Sequence, residues 1–280
     1  MSLALPHAAK VLERDALRVV SRSGTVWRQW GEGAPLVLLH GGAGSWLHWV
    51  RNIAALMASY RVLVPDMPGF GESSAADPAD DPRAIASRLI DDLNSDLGVK
   101  DAIKLVGFSF GGLVAGLIAE QEPQRIDRLV LVGPSGLGLP TSKRLPLMSW
   151  RRTVSEGARR AAHAHNLRVL MLADGKAIDD ATVTIQAYNA ECARLNSRPI
   201  SNRPFLLGAL TNASVPISGI WGAQDAILDD DLEKRFAIVR LADPNSSITS
   251  IPHAGHWVQY EKAETFNSLV LELLQNGDQH

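Results

Sequence analysis

The sequence predicts an α/β fold: a doubly wound, mostly parallel eight-stranded sheet with helices on both faces and a helical segment inserted between strands six and seven. Three observations predict it. Short apolar runs alternate with longer segments of helical period, the pattern of parallel strands joined by crossover helices. Two strand-like stretches open the chain as a hairpin. From Pro134 to Ser214 no convincing strand occurs, although the stretch is far too long for a plain loop.

In chain order, LRVVSRSG and TVWRQWGEG, around residues 17 to 33, form an antiparallel pair turning at Ser23-Gly24. Six buried-type strands follow: LVLLH (36 to 40), RVLVPD (61 to 66), IKLVGF (103 to 108), RLVLVGP (128 to 134), ISGIWG (217 to 222) and SSITSIP (246 to 252). Helices are expected near 49 to 59, 82 to 97, 110 to 121, 231 to 239 and 258 to 275. WRRTVSEGARRAAHAHNLRVLMLAD and DDATVTIQAYNAECARL read as helices of the insertion. Residues 1–133 and 215–280 are thus expected to form one core domain, interrupted by a lid at 134–214.

With 280 residues, 46% of them hydrophobic, the chain can bury a large core. A formal net charge of -2 offers no global attraction for nucleic acid or an anionic membrane. No run approaches the ~20 apolar residues of a membrane span, and the N-terminus lacks a signal-peptide core. The reading is a cytoplasmic protein with a small-molecule substrate and no nucleic-acid or membrane partner; a homodimer is left open. Cys192 is the single cysteine and reads as a free thiol.

The chemistry starts at Gly-Phe-Ser-Phe-Gly, residues 107 to 111. Alone the pattern is weak, but here a strand precedes Ser109 and a helix rich in small residues follows it, the context of a nucleophile elbow. A serine hydroxyl needs a base to take its proton and a carboxylate to fix the base's tautomer. Asp225 follows ISGIWG as the acid. IPHAGHW offers two bases, His253 and His256; the longer loop and Gly255 favour His256. The order Ser, Asp, His matches the α/β-hydrolase triad. The backbone N–H groups of Phe110, at a helix start, and of Gly42, in HGGAGSW, are the expected oxyanion donors. No step requires a cofactor or a metal.

HGGAGSWLHW, PDMPGFGES, GFSFGG, IWGAQD and HAGHWVQYEKAETFN stand in the order of the α/β-hydrolase superfamily, which the chain resembles over nearly its whole length. GHWVQYEKAETFN resembles the carbon–carbon bond hydrolases that cleave meta-ring-fission products. That resemblance implies that Trp257, after the catalytic histidine, lines the pocket. It also marks two departures: Phe108 stands where that branch usually has Asn, and Gln186, by rough alignment of LADGKAIDDATVTIQ, stands where its lid carries an acid-binding Arg. The three residues are the expected substrate contacts, and the two departures rank an ester above a vinylogous 1,5-diketone as substrate. Thioester hydrolysis and a non-enzymatic ligand receptor are further alternatives.

Other residues invite sharper readings. His40 is expected to tie down the oxyanion loop, Asp66 to shape the turn at Pro68-Gly69, and His48, His163 and His165 lack zinc-ligand spacing. The segment 134–214 holds 11 Lys and Arg against 5 Asp and Glu. Arg194, Arg198 and Arg203 are therefore candidates to meet a substrate carboxylate.

Overall fold

The computed structural model describes residues 5–75, 81–139, 145–228 and 232–275. The strands are β1 (Leu17–Val20), β2 (Val26–Trp30), β3 (Pro35–Leu39), β4 (Arg61–Asp66), β5 (Ile103–Phe108), β6 (Ile126–Val132), β7 (Ile217–Gly222) and β8 (Ser247–Ile251). They form one sheet in the order β1-β2-β4-β3-β5-β6-β7-β8. The β1–β2 and β2–β4 pairs are antiparallel, and every later pair is parallel. Chain order reverses at β3, so β3 and β5 sit side by side near the centre with their carboxyl ends at one edge.

The helices of the first half are α1 (His7–Asp15), α2 (Ile53–Leu56), α3 (Pro82–Ser95) and α4 (Phe110–Gln121). The second half adds α5 (Glu156–Asn166), α6 (Asp180–Cys192), α7 (Arg198–Ser201), α8 (Phe205–Ala213), α9 (Leu232–Ala242), α10 (Val258–Glu261) and α11 (Ala263–Gln275). Asp231, the expected start of α9, lies outside the described residues.

Strand alternation sorts the core into two layers, because successive side chains point to opposite faces. Val37, Leu39, Leu105, Leu129 and Leu131 pack with α3, α4, α8 and α9 on one face. Leu36, Leu38, Val106, Phe108, Val130 and Val132 pack with α1, α2, α10 and α11 on the other. The central strands are buried on both sides, which is why they read as continuous apolar runs.

Three local features differ from the sequence reading. Helix α1 was not expected; its place is fixed by Leu12, whose carbonyl accepts the Trp30 Nε1 proton at 2.8 Å. The helix expected at 49 to 59 is a 3-10 turn at Trp46–Trp49 followed by the short α2. The chain breaks at Lys262, dividing the last expected helix into α10 and α11.

Between β6 and β7 the described residues hold helices and no strand, in agreement with the composition of that stretch. Its parts have different duties. Leu206, Ala209, Leu210 and Ala213 of α8 bury into the same core as Leu105, so the apolar FLLGAL run covers the sheet and does not roof a pocket. Leu167, Met171, Val183 and Ile185 join the opposite layer, beside Trp257 and Tyr260.

Candidate active site

Ser109 is the one residue between β5 and α4, with φ 51° and ψ −113°. A positive φ is strained for a residue with a Cβ, at about 1–3 kcal/mol, and persists where surrounding structure enforces it. Here the Ser109 N–H donates to Val132 O at 2.9 Å, and its carbonyl accepts from Gly112 N at 2.9 Å and Ser135 N at 3.0 Å. A Cβ at Gly111 would lie 2.4 Å from Leu39 O and 2.5 Å from His40 O. Only glycine at that position lets α4 start against the end of β3.

The expected base and acid meet. His256 Nδ1 lies 2.7 Å from Asp225 Oδ2, and both side chains are nearly inaccessible to solvent. Asp225 follows β7, and its other oxygen accepts the Ile227 N–H at 2.9 Å, which sets the carboxylate plane. With Nδ1 donating to the carboxylate, Nε2 is left as the proton acceptor. His253 is exposed with φ 53°, outside this pair, so the choice of His256 over it agrees with the geometry.

Phe110 opens α4, and its N–H therefore has no intrahelical acceptor. Gly42 sits beside it: a Cβ on Gly42 would be 3.7 Å from the Phe110 Cβ, and 2.2 Å from Ser197 Oγ. The two expected oxyanion donors thus belong to neighbouring backbone. His40 anchors the loop as expected, its Nδ1 donating to Gly41 O at 2.8 Å while Nε2 accepts the Met67 N–H at 2.9 Å. Burial lowers its pKa, consistent with that neutral tautomer.

Phe108 and Trp257 are fully buried. The Phe108 ring lies 4.9 Å from the His256 imidazole and 5.4 Å from that of His48. Trp257 donates through Nε1 to His48 O at 3.0 Å and stacks on Tyr260 at 4.0 Å. Both rings form a wall beside the imidazoles of His256 and His48.

His48 was not expected in this wall. Its Nδ1 accepts the Gly41 N–H at 3.1 Å, and burial first, then His40 and His256, hold its pKa well below the ordinary value. It stays neutral and braces the loop that carries Gly42.

Gln186 is half-buried on α6, and among the described residues no hydrogen bond or ring contact joins it to the triad. Arg194 was one of three candidates to meet a substrate carboxylate. Its guanidinium donates to the carbonyls of Phe70, Gly71, Ser73 and Cys192, so it clasps the loop after β4. Arg203 lies over the Phe205 ring at 4.6 Å, and Arg198 is exposed. Asp66 is buried and accepts from Trp46 N and Glu72 N, holding turns as its sequence context suggested.

The α/β hydrolase fold family model matches residues 34–170. The chain is 29% identical over 269 residues to a 2-hydroxy-6-oxo-6-phenylhexa-2,4-dienoate hydrolase of Burkholderia cepacia, covering 88% of this chain and 90% of that protein. It is 28% identical, at the same coverage, to a 2-hydroxy-6-oxononadienedioate/2-hydroxy-6-oxononatrienedioate hydrolase of Comamonas testosteroni. The chain has the α/β-hydrolase fold. The fold of the hydrolase also matches a meta-cleavage product hydrolase from Pseudomonas fluorescens, with TM-score 0.74, 22% identity, and 94% and 98% of the two chains covered. A thermophilic esterase from Thermogutta terrifontis matches with TM-score 0.68 and 24% identity, covering 94% of the hydrolase and 98% of that chain. Among the described residues of the hydrolase, no helix is long and apolar enough to cross a membrane.

Proposed function

We propose that this hydrolase cleaves the carbon–carbon bond of a 2-hydroxy-6-oxo-dienoate through an acyl-enzyme on Ser109. The likeness to named dienoate hydrolases over 88% of the chain carries the choice of bond. It reverses the order expected from the sequence, where Phe108 argued for an ester. That argument loses its force because Phe108 is buried against the imidazole and reports nothing about substrate polarity.

Once the 2-hydroxyl tautomerises, the substrate is a vinylogous 1,5-diketone with an electrophilic carbonyl at C6. Ser109 Oγ attacks that carbon as its proton passes to His256 Nε2, with Asp225 stabilising the imidazolium. The alkoxide is held by the N–H groups of Gly42 and Phe110. Its collapse breaks C5–C6, and the electron pair leaves as a dienolate that takes the proton from His256. Water, deprotonated by His256, then releases the C6 acid and restores the Ser109 hydroxyl. Of the helices between β6 and β7, α5 and α6 form the lid over this chemistry.

A second reading, hydrolysis of small carboxylic esters, is favoured by Gln186 where an acid-binding arginine is expected. It uses the same acyl-enzyme with an alcohol leaving group.

Turnover of 2-hydroxy-6-oxo-6-phenylhexa-2,4-dienoate, followed by loss of its dienolate absorbance, is expected to exceed turnover of p-nitrophenyl esters. Ser109→Ala is expected to abolish both with the fold intact. Ester turnover without dienoate turnover reverses the ranking, and an active Ser109→Ala removes the triad from either mechanism.

A further inference from the structure

His256 is flanked on both sides by residues fastened to the inserted segment. Before it, the Gly255 N–H donates to Glu261 Oε2 at 2.6 Å. The same carboxylate accepts the N–H of Ala173 at 3.2 Å and, through Oε1, that of Asp174 at 2.6 Å. After it, the Trp257 N–H donates to Met171 O at 2.8 Å. The approach is so close that a Cβ on Gly255 would sit 2.7 Å from Ala173 N and 2.8 Å from Met171 O. One turn further on, Tyr260 OH and Thr182 Oγ1, on α6, are 2.8 Å apart.

We infer that Glu261 is a positioning residue: its carboxylate joins the segment 171–174 to the loop of His256, so that seating this part of the insertion also seats the catalytic imidazole. The chemistry of the bonds supports this. An ionised carboxylate is an acceptor at both oxygens, and charge-assisted bonds to backbone N–H groups are about twice as strong as neutral ones. Three donors from two separate stretches converge on one side chain, and the residue between two of the fastened positions is the base itself. Asp225 fixes the far side of the ring, while Glu261 fixes the backbone from which the ring hangs. A cavity of about 250 Å³, bordered by Leu172, Ala173, Gln224, Ala226 and Gly255, runs along this contact and leaves the segment room to shift when the latch is released.

The inference rests on the triad proposed above. Its test uses the full chain and whichever substrate it turns over. Glu261→Gln keeps the shape but turns an amide N–H toward one of the backbone donors. Its kcat per active site, counted by titration with an organophosphonate, is expected to fall by about ten- to a hundredfold, the scale of a small misplacement of a catalytic group. KM should stay within about threefold, since the substrate contacts are untouched. The rate of phosphonylation of Ser109 should fall with kcat. Gly255→Ala, which pushes the same two stretches apart without touching a carboxylate, is expected to give the same split.

An unchanged kcat per titrated site in both variants overturns the inference, as does a drop in thermal midpoint that accounts for all lost activity through fewer competent sites. Ser109→Ala separates the two levels. If it is inactive while the Glu261 and Gly255 variants retain full kcat, the triad stands and the latch falls. If it remains active, the triad falls and the latch with it.

Discussion

Asp225 divides its two oxygens between two tasks. Oδ1 holds the Ile227 N–H and Oδ2 receives the His256 imidazole, so neither oxygen is spare. Asp225→Asn is therefore expected to lower kcat by about 10⁴-fold while leaving the fold intact, because an amide nitrogen facing Nδ1 stabilises the wrong tautomer. Steady-state kinetics beside a thermal melt check both halves of that expectation. Ser109, Asp225 and His256 could be nominated as candidates because each follows a recognisable strand within a few residues, and the carboxyl ends of parallel strands gather at one edge. Glu261 could not. Its partners are backbone N–H groups, two of them 87 and 88 residues away in sequence, and a backbone donor leaves no mark in a residue alphabet. The contacts of Arg194 were hidden for a related reason: its charge was visible in the sequence, but its backbone acceptors were not.

At the scale of elements, α5 carries an unusual burden. His163 is buried against Trp150, with ring centroids 5.3 Å apart, and neither ring nitrogen has a hydrogen-bond partner. Burial first, and then the nearby guanidinium groups of Arg159 and Arg160, lower its pKa from 6.5 to about 4. The unfolded chain takes up a proton near pH 6.5 that the folded chain refuses until about pH 4. Stability is therefore lost as pH falls through that window, by roughly 3 kcal/mol at most. Hydrogen exchange of α5 at pH 7 and pH 5 is expected to show weaker protection at the lower pH, and His163→Phe to flatten the difference. The strands were readable because burial on both faces writes an unbroken apolar run. The helix boundaries at 49 to 59 and at Lys262 were not, since helical period continues through a backbone break that tertiary packing imposes.

At the scale of the molecule, Arg28 joins three parts of the chain. Its guanidinium is buried and lies 2.9 Å from Glu13 on α1, 3.2 Å from Asp66 at the end of β4, and 3.2 Å from Glu72 in the loop beyond. Burial opposes the charge, and Asp66, Glu13 and Glu72 outweigh it, so the pKa is raised. Arg28→Met is expected to destabilise by about 3–5 kcal/mol, measured by urea denaturation, because it leaves the buried Asp66 carboxylate without a counter-charge. Asp66 also holds the Trp46 N–H, so the loss should reach the loop of Gly42. The strands were visible in the sequence as a rhythm with one long strandless gap, whereas their order in the sheet was not. The anchoring of α1 was hidden because it rests on Arg28 and Trp30, residues of a strand that looked ordinary.

The insertion between β6 and β7 also orders events in time. A ribosome adding about 5–20 residues per second makes β6 roughly 4–17 s before its neighbour β7 begins. Throughout that interval the nascent sheet presents the open edge of β6, an invitation to pair with another chain. Ser109 has already emerged by then, yet the strands that deliver Asp225 and His256 are still to be translated, so the nucleophile is made first and its activating pair arrives last.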